Sequence, residues 1–133
     1  MKALVIIPTY NEIENIERLV KIVLNIAPEV EILVLDDNSP DGTAAAVKAL
    51  QTDEPRIHLI ERPRKMGLGS AYVTGFRYAL KEGFDYIMEM DADFSHDPND
   101  VPRLLAAAQN NDLVIGSRYS HGVNIINWPI RRL

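Results

Sequence analysis

With 133 residues, 47% of them hydrophobic, the chain has the size and apolar content of one soluble globular domain with its own core. A net charge of −5 argues against a general nucleic-acid surface, which needs a clustered excess of Lys and Arg, and leaves room only for a local basic patch. Cysteine is absent, so disulfides and thiolate ligands are excluded, and any metal must be held by oxygen or imidazole.

Apolar runs reach only about six residues, against the roughly 20 that span a bilayer, and no apolar leader opens the chain. The expected location is therefore cytoplasmic. Ala3 to Pro8 is a continuous β-branched run suited to a strand buried on both faces of a parallel sheet. Asn11 with Glu14 reads as a helix cap with its reciprocal acid, and Ile13, Ile16, Val20, Val23 and Leu24 then recur at helical spacing to about Ala27. Glu31 to Leu35 is a second strand, Ser39-Pro40 opens a helix reaching about Gln51, and Ile57 to Ile60 is a third strand. Gly69 to about Glu82 reads as a helix, Tyr86 to Met90 as a strand, Asp97-Pro98 as the cap of a helix to Asn110, and Leu113 to Ile115 as a fifth strand. From Ser120 onward no periodicity is visible and a loop is expected. Alternation this regular predicts a single α/β domain over residues 1–133, built on a mostly parallel sheet flanked by helices.

In open parallel sheets ligands bind beyond the carboxyl ends of the strands. Here those ends carry Thr9-Tyr10-Asn11-Glu12, Asp36-Asp37-Asn38-Ser39, Asp91-Ala92-Asp93 and Ser117-Arg118-Tyr119, predicting four strand ends on one polar rim. Asp91 and Asp93, two apart in an expected extended segment, would point to the same side and could meet one cation. Without Cys, such a pair suits Mg2+ or Mn2+, which takes few protein carboxylates and fills its other positions with phosphate and water. Read alone, Asp-X-Asp is also ordinary turn chemistry, Asp36-Asp37 fits a solvated turn, and Arg118 fits either a surface ion pair or a fork on a phosphate. Lys65 to Gly69 could bring backbone amides to an anion, or simply enter a helix. His58, His96 and His121 lack ligand spacing and read as structural or surface residues, with His96 alone near the acidic pair.

Taken in order, Ile7-Pro8-Thr9-Tyr10-Asn11-Glu12, Asp36 to Thr43, Gly67-Leu68-Gly69, Met90 to His96 and Gly116-Ser117-Arg118-Tyr119 resemble the inverting glycosyltransferases of family 2. The likeness is closest to polyprenol-phosphate and dolichol-phosphate mannosyltransferases, and Asn127-Trp128-Pro129-Ile130-Arg131-Arg132 is similar to the bacterial members. The resemblance implies a GT-A fold and transfer of mannose from GDP-mannose to a polyprenyl monophosphate, with Mg2+ or Mn2+. It places Pro8, Tyr10, Glu12, Leu35 and Asp37 around the nucleoside, Asp91, Ala92 and Asp93 at the diphosphate and metal, and Arg118 on the phosphates. Some members carry Gln where Ser95 stands, so Ser95 becomes a third, shorter metal contact, and Arg131 and Arg132 become candidates for the acceptor phosphate. A lipid acceptor implies work at the membrane surface, by peripheral association or with a membrane subunit. Family members continue well past Arg132, so the chain reads as C-terminally truncated, with 120–133 the start of an acceptor-side loop or helix. Two other readings follow: a domain that binds nucleotide-sugar and metal without transfer, and, more remotely, a receiver-like phosphoacceptor domain.

Overall fold

The computed structural model describes residues 2–116 and 123–125. Four parallel strands, β1 (Ala3–Thr9), β2 (Val30–Asp36), β3 (Ile57–Glu61) and β4 (Tyr86–Glu89), form one sheet in the order β3-β2-β1-β4. Between them run the helices α1 (Ile16–Ile26), α2 (Thr43–Gln51) and α3 (Leu68–Lys81), and a short 3-10 turn at Pro98–Asp100 leads into α4 (Val101–Ala108).

The central strand explains the layering. Successive side chains of a strand point to opposite faces, so Ala3, Val5 and Ile7 enter one core while Leu4 and Ile6 enter another. The first core packs the sheet against α1, α2 and α4 through Ile16, Leu19, Val20, Val23, Val47, Val101 and Leu105. The second packs it against α3 through Ala71 and Ala79, with Phe84 beyond the helix. Both faces being covered is why β1 and β2 read as unbroken apolar runs. Gly75 of α3 is part of this fit: a Cβ there would stand 2.7 Å from Ile6 Cδ1 and 2.9 Å from its Cγ2.

Three expectations are corrected. Helix α1 begins at Ile16, not near Asn11, because Asn11 adopts φ 56° and residues 12–15 form a turn in which the Asn15 and Ile16 amides donate to Glu12 O. Helix α2 begins at Thr43, three residues after Pro40, where the Asp41 carboxylate accepts from the Thr43 amide and hydroxyl. The fifth strand, β5 (Val114–Gly116), does not join the parallel sheet. It pairs antiparallel with β6 (Val123–Ile125), inside the stretch expected to be loop. Among the described residues, no helix is long and apolar enough to cross a membrane.

Candidate functional site

The sheet order reverses between β1 and β4: β2 and β3 lie on one side of β1, and β4 on the other. Such a switch point leaves a crevice outside the carboxyl ends of the strands. A cavity of about 260 Å³ opens there, lined by Pro8, Thr9, Tyr10 and Glu12 from the end of β1, Asp37 from β2, Asp91, Ala92 and Asp93 from β4, and Lys65, Gly67, Leu68 and Ala71 from the entry of α3. Seven expected residues, Pro8, Tyr10, Glu12, Asp37, Asp91, Ala92 and Asp93, are thus brought together. Leu35 is not among the lining residues, because its side chain is wholly buried in the core under α3. Three strand ends form the rim. Ser117, Arg118 and Tyr119, like Arg131 and Arg132, lie outside the described residues.

Neighbouring loops brace the rim. The Asn11 amide donates to Ser39 Oγ (2.9 Å), the Glu12 amide to Thr43 Oγ1 (3.0 Å) and the Ile13 amide to Asp41 Oδ2 (3.1 Å), so the β1 loop is tied to the β2 loop. Asp36 is no solvated turn residue. It is 1% exposed and accepts from Thr9 Oγ1 (2.7 Å) and from the Ser39 amide and hydroxyl. Asp37 is also buried, gripped by Arg62 through two short bonds. Nothing in the sequence marked Arg62, because a Glu-Arg-Pro-Arg-Lys run reads as solvated charge.

Asp91 and Asp93 sit in a turn after β4 rather than in an extended segment, and Phe94 in that turn has φ 63°, a left-handed conformation that costs a bulky side chain energy. The turn folds Ser95 back so that its amide donates to Asp93 Oδ1 (2.9 Å) and its hydroxyl to Asp91 Oδ2 (3.3 Å). The ring of Phe94 packs against the α1 core and lies under the Arg18 guanidinium, 4.4 Å away. The Asp91 amide donates to His96 Nδ1 (3.1 Å), so His96 supports the turn.

Acidic groups predominate around the pair, with His96 Nε2 3.9 Å from Asp91 Oδ2. The polar groups of Ser95, its side chain beside the carboxyl and its amide bonded to it, hold Asp93 below its usual range. Partial desolvation, then the Asp91 charge, pushes Glu89 up, and desolvation followed by the charges of Asp91 and Glu89 raises the Tyr72 phenol, whose hydroxyl reaches Asp91 Oδ1 (3.5 Å). Two carboxylates and a hydroxyl converging in a negative field are a donor set suited to a hard divalent cation. Among the described residues no group of three or more His, Cys, Asp or Glu is placed to hold a metal ion. An open carboxylate pair that leaves positions for phosphate and water matches Mg2+ or Mn2+ chemistry. On the opposite wall Lys65 lines the cavity, with its Nζ 4.7 Å from the centre of the Tyr10 ring.

Residues 4–133 match the sequence profile of glycosyl transferase family 2. The chain belongs to that family. Over 99% of its length it is 47% identical to an undecaprenyl-phosphate mannosyltransferase of Micrococcus luteus, of which it covers 54%. It is 50% identical to a polyprenol monophosphomannose synthase of Mycolicibacterium smegmatis, again over 99% of this chain, covering 51% of that protein. The chain therefore spans about half the length of these curated relatives. A solved mannosyltransferase, PcManGT of Pyrobaculum calidifontis in complex with GDP-Man and Mn2+, superposes with a TM-score of 0.61 at 30% identity, over 68% of this chain and 27% of that one. The family 2 domain thus has a GT-A-like α/β fold, with its cavity at the switch point of the sheet.

Proposed function

We propose that residues 1–133 form one donor-binding domain that takes GDP-mannose with Mg2+ or Mn2+ and serves transfer of the mannosyl group, with inversion, to a polyprenyl monophosphate. The observation that carries this reading is the cavity in which the β1 and β2 loops meet the Asp91-Ala92-Asp93 turn. The names of the relatives, and the GDP-Man and Mn2+ of the solved neighbour, supply the substrate class.

In this reading Pro8, Tyr10, Glu12 and Asp37 hold the nucleoside, and Asp91, Asp93 and Ser95 hold the cation. When bound, the divalent ion would supply Lewis acidity and neutralise charge developing on the leaving diphosphate. Lys65 and Arg118 add fixed positive charge for that diphosphate, and Arg131 and Arg132 meet the acceptor phosphate. An acceptor phosphate oxygen attacks the anomeric carbon as the bond to GDP breaks. That nucleophile is already ionised near neutral pH, so no side chain need remove a proton from it. The lipid acceptor places the reaction at the cytoplasmic surface of a membrane.

A thermal-shift panel of GDP, UDP, GDP-mannose and UDP-glucose, each with Mn2+, tests the donor, because a ligand that binds only the folded state raises its stability. The guanosine ligands should give the larger shifts; a preference for uridine nucleotides overturns the mannosyl assignment. Radiolabel transfer from GDP-mannose to a short polyprenyl phosphate tests the reaction. Tight binding without transfer would reduce the function to nucleotide-sugar and metal binding.

A further inference from the structure

We propose that Arg62 is the positioning residue for nucleobase selection, acting through the Asp37 carboxylate; the inference rests on the donor-site reading above. Asp37 lines the cavity and Arg62 does not. Arg62 lies behind it, 7% exposed, and forks the carboxylate with Nε to Oδ1 at 2.6 Å and Nη2 to Oδ2 at 2.8 Å. Its third nitrogen, Nη1, donates to Ser70 Oγ at 2.9 Å, in the first turn of α3. Its backbone amide donates to Asp36 O at 2.8 Å. One side chain therefore joins the β2 wall of the cavity to the α3 wall, whose Gly67, Leu68 and Ala71 face the same space.

A buried ion pair is weak ground for stability, because desolvation cancels much of its attraction. Its geometric effect is stronger. A planar guanidinium bonded to both oxygens fixes the plane of the carboxylate, which a point cation cannot do. Each carboxylate oxygen retains a second lone pair, so Asp37 faces the cavity as an acceptor with no donor to offer. The fork takes the lone pairs that converge between the two oxygens, so each remaining pair accepts from one N–H, and such a group matches a base whose ring nitrogen carries a proton, as guanine's does. Adenine presents a ring-nitrogen acceptor beside its amino group, and the two lone pairs would oppose each other. Without the fork, the carboxylate would be free to rotate out of the plane that faces the base. Discrimination between base edges would fall while the diphosphate end of the site, at Asp91 and Asp93, stayed as it was.

The test is calorimetric titration of this chain with GDP, ADP and inorganic pyrophosphate in excess Mg2+, for the wild type, Arg62→Lys and Arg62→Gln, with circular dichroism confirming that each is folded. GDP affinity should fall about tenfold in Arg62→Lys and further in Arg62→Gln, while ADP and pyrophosphate change by no more than about twofold, so that the GDP-to-ADP ratio collapses. A folded Arg62→Lys protein that keeps the wild-type ratio overturns the proposal, as a purely structural role predicts. Should both variants unfold, the wild type decides by NMR: the Arg62 Nε–H resonance must shift with GDP and stay in place with pyrophosphate, and indifference to GDP overturns the proposal. A wild type that binds no nucleotide overturns the donor-site reading itself, and this is visible before any variant is made.

Discussion

Replacing Gly75 by alanine sets two calculable effects against each other. Alanine in a helix interior is favoured over glycine by about 1 kcal/mol. Against this, the new Cβ would meet Ile6 Cδ1, Cγ2 and Cγ1 at 2.7, 2.9 and 3.2 Å. Rotation about χ2 could move Cδ1 aside, but Cγ2 is fixed by the stiff χ1 of a β-branched residue. Ile6 cannot retreat, because it is wholly buried on β1, which is held between β2 and β4. Overpacking of this kind costs about 1–3 kcal/mol, so the net expectation is a loss of about 1 kcal/mol. For a domain of this size that lowers Tm by about 3–4 °C. The assay is thermal and urea unfolding of Gly75→Ala, Ile6→Val and the double variant. Removing Cδ1 should cost less in the Gly75→Ala background than in the wild type, giving a coupling of about 0.5–1 kcal/mol. Because the entry of α3 lines the cavity, GDP affinity should fall slightly in the single variant and recover partly in the double. A Gly75→Ala protein as stable as the wild type would refute the claim that this helix is pressed against Ile6.

At the acidic turn, Asp91→Asn and Asp93→Asn should each weaken Mn2+ binding, read by electron paramagnetic resonance, by at least about tenfold, since even outer-shell changes at metal sites cost that much. Unaltered Mn2+ titrations would remove the pair from the metal site. Stability should decline in acid. Asp41, Glu54 and Asp93 are all held below their usual range: at Asp41 the upward push of desolvation is outweighed by hydrogen bonds from Thr43 and Ile13, at Glu54 the bonds from Arg56 dominate, and at Asp93 those from Ser95. A depressed carboxyl contributes stability above its unfolded value that is lost as pH falls through the folded value. Glu89, pushed up, works in the opposite sense and at higher pH: it adds stability as pH falls through its folded value towards its unfolded one. Urea midpoints should therefore hold or rise slightly from pH 7 to 5 and fall below about pH 4.5, where the three depressed groups titrate. Asp41→Ala, which also loses the bonds that start α2, should make that fall shallower; a flat profile in the wild type would contradict the assignment.

β1 and β2 were legible because burial on both faces leaves an unbroken apolar signature, whereas β4, with Ile87 and Glu89 exposed, carries a weaker one. Helix starts were misplaced for a physical reason. Asn11 and Ser39 have the chemistry of caps, but the Asn11 amide donates across to Ser39 Oγ in the β2 loop, and the Ser39 hydroxyl is held by Asp36 three residues before it. Local capping competes with tertiary bonding, and spacing along the chain cannot reveal which wins. Arg62 was invisible for a related reason: its burial depends on Asp37, 25 residues away. Leu35 was placed at the site by resemblance, but its side chain turns the other way, into the core.

The left-handed residues at the rim have a practical consequence for anyone reshaping this domain. Asn11, Asn38 and Phe94, at φ 56°, 55° and 63°, follow β1, β2 and β4 in turn. Libraries that vary the asparagines can sample glycine or aspartate freely and should omit valine, isoleucine and threonine, which resist that backbone. Position 94 behaves differently. There the aromatic ring, clasped by Arg18 and the core, works as a counterweight to an unfavourable backbone. Glycine at 94 would relax the backbone and release the two aspartates together, so the residue with the least chemistry of its own has the widest mutational leverage over the turn.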